Sequence, residues 1–202
     1  MAQDELGARR QPHFFDGGGA DIAVDDNLVS DYAARFAFQT SGTKAEREAF
    51  QDLGWEGLIW YDTTAKADYR HNGSVWKLWN TTVPIEFTPS WGNINVNNGV
   101  QDCKYTVSAG RVFVDGRLAI GSATVLAGEF FPSLPLPKLA SSPTVQGTAW
   151  AFDVSATAWY QGAIVKGEYN YFMFPGGRAF NAFPFVFDEG DLLLYSYNYM
   201  AA

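Results

Sequence analysis

Few residues in this 202-residue chain have the types that chemistry needs. Its two histidines, His13 and His71, stand far apart. Neither has a second histidine or a cysteine at helical or hairpin spacing, so no zinc-type ligand set is assigned. His71 directly precedes Asn72-Gly73 and is expected to be a solvated turn residue. A Ser-His-Asp triad would have to use one of these two histidines, and no Gly-x-Ser-x-Gly elbow is present. Cys103 is the single cysteine, which rules out an intrachain disulfide and a cysteine-based metal site. Its only basic neighbour is Lys104, so a buried, inert thiol is expected rather than a nucleophile. No Gly-rich phosphate loop follows a strand-like run.

Carboxylates cluster twice. Asp188, Glu189 and Asp191 lie together late in the chain. Glycoside hydrolysis needs two carboxylates facing each other across a groove. These three share one turn with Gly190 between two apolar runs, where Asp and Gly are ordinary turn formers. Near the start, Asp16, Asp21, Asp25 and Asp26 flank Gly17-Gly18-Gly19. Gly17–Asp21 is similar to one turn of a calcium-binding nonapeptide repeat, but such repeats act in stacks and no second copy exists. A solvated linker is the expectation. No catalytic, cofactor-binding or metal-binding residue is assigned. Aromatic residues remain, because the faces of Trp and Tyr can stack on sugar rings. Trp91, Trp150, Trp159, Tyr160, Tyr169 and Tyr171 are the candidates. Core and subunit interface are their expected uses, and none is assigned to sugar binding.

The charge balance narrows the partners. The chain carries a net charge of −8 without any Lys/Arg cluster, which argues against nucleic acid. No run approaches the roughly 20 apolar residues of a membrane span. The N-terminus has no apolar core of a secretory signal, so synthesis in a cytoplasm without a signal peptide is expected.

The elements that would position these residues read as β throughout. Gly57–Trp79 is the organising stretch. Asn72-Gly73 predicts a two-residue hairpin turn with positive φ at both residues. That turn sets Tyr69 opposite Trp76, Asp68 opposite Lys77 and Ala67 opposite Leu78. Asp62–Ala65 predicts a turn after Leu58–Tyr61, which completes a three-stranded meander. Thr43-Lys44-Ala45-Glu46 is a capping box and predicts a short helix ending by Phe50 or Leu53, with Gly54 as its stop. Downstream, a strand is expected at Tyr105–Val107. Asp115-Gly116 predicts a second two-residue hairpin that pairs Phe113 with Leu118 and Val112 with Ala119. Phe113, Leu118 and Ile120 would then face the core. Phe130–Pro137 is expected to be an irregular crossing. Strands are expected at Ala149–Val154, Ala156–Gln161, Gly162–Val165, Tyr169–Phe174, Phe183–Phe187 and Leu192–Tyr199. Short strands separated by turn signals suggest a sandwich or jelly roll. The expected organisation is all-β: an extended N-terminal arm at 1–42, a short helix plus aromatic β-meander at 43–83, and an antiparallel jelly-roll-like β-sandwich head at 84–202.

Two groups of motifs resemble those of tailed-bacteriophage virion surface proteins. Arg47–Phe50, Gly57–Thr63 and Tyr69–Trp76 are similar to the helix, "G-L-x-W-Y-D-T" strand and "Y-x-x-N-G-S-x-W" hairpin of minor tail and fibre proteins. Tyr105 to Gly116, Leu134-Pro135-Leu136-Pro137, and Pro184-Phe185 to Gly190-Asp191 resemble, in that order, features of tail-fibre heads. Together they cover roughly residues 43–202. The resemblance implies a non-enzymatic virion structural protein displayed on the particle surface: a trimeric tail fibre or receptor-binding protein. A capsid decoration protein or fibre of the same fold is the alternative, and a polysaccharide depolymerase the more distant one. The implied partners are a homotrimer and, through the N-terminal arm, other virion proteins. A host cell-surface glycan stays open as a further partner, and neither nucleic acid nor membrane insertion is expected.

The trimer expectation also has a surface argument. The meander has two aromatic faces, and Tyr195, Tyr197 and Tyr199 alternate onto one face of the last strand. A monomeric sandwich would leave part of this surface exposed.

Overall fold

A computed structural model of the protein describes residues 3–6, 12–14, 40–51, 56–140, 146–166, 170–178 and 183–202. In the expected arm, Gln3–Leu6 (β1) and Pro12–Phe14 (β2) pair antiparallel. The acidic cluster from Asp16 to Asp26, Phe15, Tyr32, Phe36, Phe38, Gly54 and Tyr169 lie outside the described residues. The chain is all-β apart from one short described helix, and divides into two units, Met1–Asn80 and Thr81–Ala202.

In the first unit, Thr40–Gly42 (β3), Ile59–Asp62 (β4), Ala67–His71 (β5) and Trp76–Thr81 (β6) form a four-stranded sheet in that order. β3 adds to the expected meander by pairing parallel with β4. Lys44–Ala49 (α1) begins at the predicted capping box. Thr43 N donates to Glu46 Oε2 at 2.7 Å, and Glu46 N donates to Thr43 Oγ1 at 3.3 Å. A helix this short cannot nucleate alone. Arg47 ties it to the sheet: its guanidinium lies 3.3 Å from the centre of the Tyr69 ring and 3.5 Å from the Asp62 carboxylate. The other Asp62 oxygen accepts from Thr64 N and Ala65 N, which makes the predicted turn.

The Asn72-Gly73 hairpin forms one residue further along than expected. Asn72 N donates to Val75 O, so Gly73-Ser74 is the turn. Gly73 has a φ of +93°, whereas Asn72 keeps negative φ. The Asn72 side chain supplies the reason, since its Oδ1 accepts from both Ser74 N and Val75 N. The shift brings His71, in place of Tyr69, against Trp76, with ring centroids 4.9 Å apart.

The second unit holds an eight-stranded antiparallel sheet. Its order is Gly177–Arg178 (β15), Asn170–Phe174 (β14), Ala158–Lys166 (β13), Gln146–Asp153 (β12), Leu192–Met200 (β16), Arg111–Ala119 (β10), Val100–Ser108 (β9) and Ile85–Glu86 (β7). Trp91–Asn95 (β8) and Val125–Pro132 (β11) form a separate antiparallel pair. The last strand, β16, lies between β12 and β10, so the sheet closes only when the C-terminal segment is in place.

Asp115-Gly116 is not a turn. Both residues lie inside β10, and the chain reverses at Ala109-Gly110, with φ of +49° and +75°. Positive φ at both turn residues matches the twist of the flanking strands. This register gives β10 nine consecutive partners on each of β9 and β16. It also corrects the expected core: Leu118 and Ile120 are buried with Val112 and Val114, while Phe113 points to the opposite, exposed face. Further along, Phe130–Pro132 end β11 rather than begin an irregular crossing, and β13 runs unbroken through Gly162. Phe183–Phe187 is not a strand; its Phe185 and Phe187 rings pack 4.5 Å apart, and Phe187 meets Phe130.

The three tyrosines of β16 share one face, as their alternation requires, and that face is buried within this unit. Small neighbours make room for them: Tyr195 is flanked by Gly116 and Ala149, and Tyr197 by Val114 and Gly147. From the two-stranded sheet, Trp91 meets Phe172 and Tyr195 of the large one and Phe130 meets Phe172, at 5.7–6.2 Å between centroids. The buried hydroxyls are partnered. Tyr199 Oη donates to Leu136 O at 2.8 Å, Tyr197 Oη donates to Ser133 O at 3.4 Å, and Tyr195 Oη lies 2.9 Å from Cys103 Sγ. Leu134-Pro135-Leu136-Pro137 is thereby tied to the central strand.

Candidate functional site

The candidate chemical residues are dispersed and mostly structural. His71 is 1% exposed, not solvated. Its Nε2 lies 3.1 Å from Gln51 O, and its Nδ1 accepts from Gly73 N. Those two contacts correspond to a neutral ring protonated at Nε2. Cys103 is buried as expected, and burial pushes its thiol pKa up. In the late acidic cluster, Asp188 and Glu189 are exposed but Asp191 is 2% exposed. The Asp191 carboxylate accepts from Val154 N at 2.9 Å and Asp188 N at 2.7 Å. It joins the loop before β16 to the end of β12. Among the described residues, no group of three or more His, Cys, Asp or Glu could hold a metal ion. No helix among them is long and apolar enough to cross a membrane.

The aromatic candidates separate by face. Trp91 is half-buried against Phe172 and Tyr195, Tyr171 meets Phe131 edge-on at 5.8 Å, and Tyr160 lies against Phe185 at 5.0 Å. Trp150 and Trp159 instead stand on the outer face of the large sheet, 39% and 52% exposed. Their rings meet edge to face at 6.4 Å, and Phe152 supports Trp159 at 4.6 Å. The alternation of β12 explains this: Ala149 and Ala151 turn inward beside the tyrosine face, so Trp150 and Phe152 must turn outward.

Strand register then places polar groups beside these rings. Trp150 is opposite Leu194, Leu194 opposite Arg117, and Arg117 opposite Asp102. The adjoining row runs Thr148, Ser196, Asp115, Lys104. Neighbouring strands are about 4.8 Å apart, so Trp150 and Arg117 are roughly 10 Å apart across the sheet. Between them lies a recess of about 440 Å³, floored by Leu194, Ser196 and Thr148. Lys104 sits 3.8 Å from Glu86 and 3.9 Å from Asp102, whereas Arg117 and Asp115 have no ion-pair partner among the described residues. Such a surface can stack a flat apolar face and hydrogen-bond polar groups beside it. In sequence, Trp150 and Trp159 stand out only as two among several aromatics. Arg117 and Asp115 carry no signal in sequence, because their place beside Trp150 arises from long-range pairing. A comparison with known protein families, curated proteins and solved structures finds no match for this chain.

Proposed function

We propose that this chain is a non-enzymatic surface protein of a tailed-bacteriophage particle, a trimeric tail fibre or receptor-binding protein that touches the host cell surface. In this reading the 81–202 unit is a two-layer, jelly-roll-like β-sandwich head. Its β8 and β11 form part of the second layer, and the residues before β3 are the arm held by other virion proteins, the expected bound of 1–42 being shortened because Thr40–Gly42 belong to the sheet. The observation that carries the reading is the open, flat face bearing Trp150 and Trp159, with a recess beside them. Exposed tryptophans are costly to leave in water and mark contact surfaces. The motifs shared in style with virion proteins supply the context. Asp102 and Asp115 rise from one sheet face at diagonal positions, Asp102 opposite Arg117 and Asp115 opposite Lys104, instead of opposing each other across a cleft, which favours binding over glycoside cleavage. Because the three tyrosines of β16 are buried within one copy, the support for trimerisation narrows to the meander aromatics and the outer face.

Antibody-labelled electron microscopy of particles tests the placement. Label on the tail is expected; label on the capsid would make the chain a decoration protein, and unlabelled particles would end the virion reading. Light scattering should report about three times the 22.3 kDa chain mass, and a stable monomer at micromolar concentration would remove the trimer. Deleting residues 1–39, which leaves β3 in the sheet, should preserve the trimer and abolish incorporation.

A further inference from the structure

We infer that the recess between Trp150 and Arg117 binds a neutral, pyranose-based glycan, an assignment that rests on reading this face as the host-contact surface. One sugar ring lies on the Trp150 indole. The next ring crosses Leu194 and Ser196, and its vicinal hydroxyls are shared between Arg117 and Asp115.

Three observations carry this. The Trp150 ring is exposed at the edge of the recess, and indole faces stack against the C–H faces of pyranoses while excluding water. Small side chains, Thr148 and Ser196, keep the floor open and offer hydroxyls. The roughly 10 Å between the strands of Trp150 and Arg117 fits two linked rings rather than one.

The charged end then selects the class. Arg117 and Asp115 stand on one strand with the same facing, and neither is held in an ion pair among the described residues. An uncommitted donor beside an uncommitted acceptor suits a vicinal diol, in which each hydroxyl both donates and accepts. A carboxylated sugar would satisfy Arg117 but bring its charge against Asp115, because Lys104, the other cation of the recess, is already held by Glu86 and Asp102. The net charge of −8 further opposes a polyanionic glycan over the range where charges are unscreened.

The test uses the full-length protein on immobilised neutral polysaccharides (a glucan, a mannan and a galactan), with polygalacturonate as the acidic comparison. Retention on at least one neutral polymer is expected. Trp150→Ala and Arg117→Ala should each weaken it by about tenfold or more. Asp115→Asn should also weaken it, and Val186→Ala, which is exposed elsewhere, should not. No retention on any of the three neutral polymers overturns the inference. So does equal or better retention on polygalacturonate, or retention indifferent to Trp150→Ala. If Trp150→Ala dissociates the oligomer and no glycan is retained, the face is a subunit interface and the inference falls. The labelling experiment above is independent: binding to a neutral polymer by a protein absent from particles would end the virion reading and leave this one standing.

Discussion

Replacing Gly116 by alanine isolates the packing that decides the register of the second unit's large sheet. Gly116 is in mid-strand, and a Cβ built there would sit 2.1 Å from Tyr195 Cζ and 2.4 Å from its Oη. Tyr195 cannot easily retreat. It is hemmed by Trp91 at 5.8 Å, Phe172 at 5.5 Å and Tyr197 at 6.0 Å, and its hydroxyl is 2.9 Å from Cys103 Sγ. Overpacking of this kind costs about 1–3 kcal/mol. Displacing the buried hydroxyl from its partner adds about 1–3 kcal/mol. The expected loss for Gly116→Ala is therefore about 2–6 kcal/mol, a fall in Tm on the order of 10 °C for a chain of this size. Urea unfolding followed by tryptophan fluorescence measures it. The decisive comparison is a double-mutant cycle with Tyr195→Leu, which withdraws the ring from above Gly116. The two changes should couple by at least about 1 kcal/mol, with Gly116→Ala costing much less in the Tyr195→Leu background. If Gly116 were a turn residue, the penalty would come from backbone strain and would be the same in both backgrounds. Additive effects, or a loss below about 0.5 kcal/mol, would refute the packing argument.

Asp191→Ala removes both backbone contacts of a buried carboxylate and should cost about 2–4 kcal/mol, while Asp188→Ala and Glu189→Ala at exposed positions should each stay within about 0.5 kcal/mol in the same urea assay. Alkaline pH should unfold the second unit. Burial raises the pKa of Tyr195, Tyr197 and Tyr199 above the ordinary 10.0, that of Tyr199 to about 12. The unfolded chain releases these protons first, so the stability they contribute is intact below pH 10 and is lost progressively as pH rises toward 12 and beyond. Tyrosinate absorbance that appears only together with loss of tertiary structure would agree with this, and titration of all ten tyrosines near pH 10.0 in a folded protein would not.

Features that depend only on neighbours along the chain were legible before any folding. The capping box at Thr43 and Glu46 and the Asp62 turn are closed by hydrogen bonds spanning two or three residues, and both form as read. The all-β character and the shared face of Tyr195, Tyr197 and Tyr199 follow from turn chemistry and a period of two. Long-range pairing chose among local signals that compete. Asp115-Gly116 and Ala109-Gly110 can both turn a chain, but only the latter lets β10 pair along its length with β9 and β16. Asn72 committed its side chain to the turn, and His71 went into the core against Trp76. Periodicity showed that the β16 tyrosines face one way, but not that the same copy covers them. That depends on Trp91, Phe130 and Phe172 arriving from distant segments. The candidate site follows the same physics. Trp150, Arg117 and Asp115 become neighbours only because the last strand, β16, inserts between β12 and β10, and no local spacing encodes that insertion.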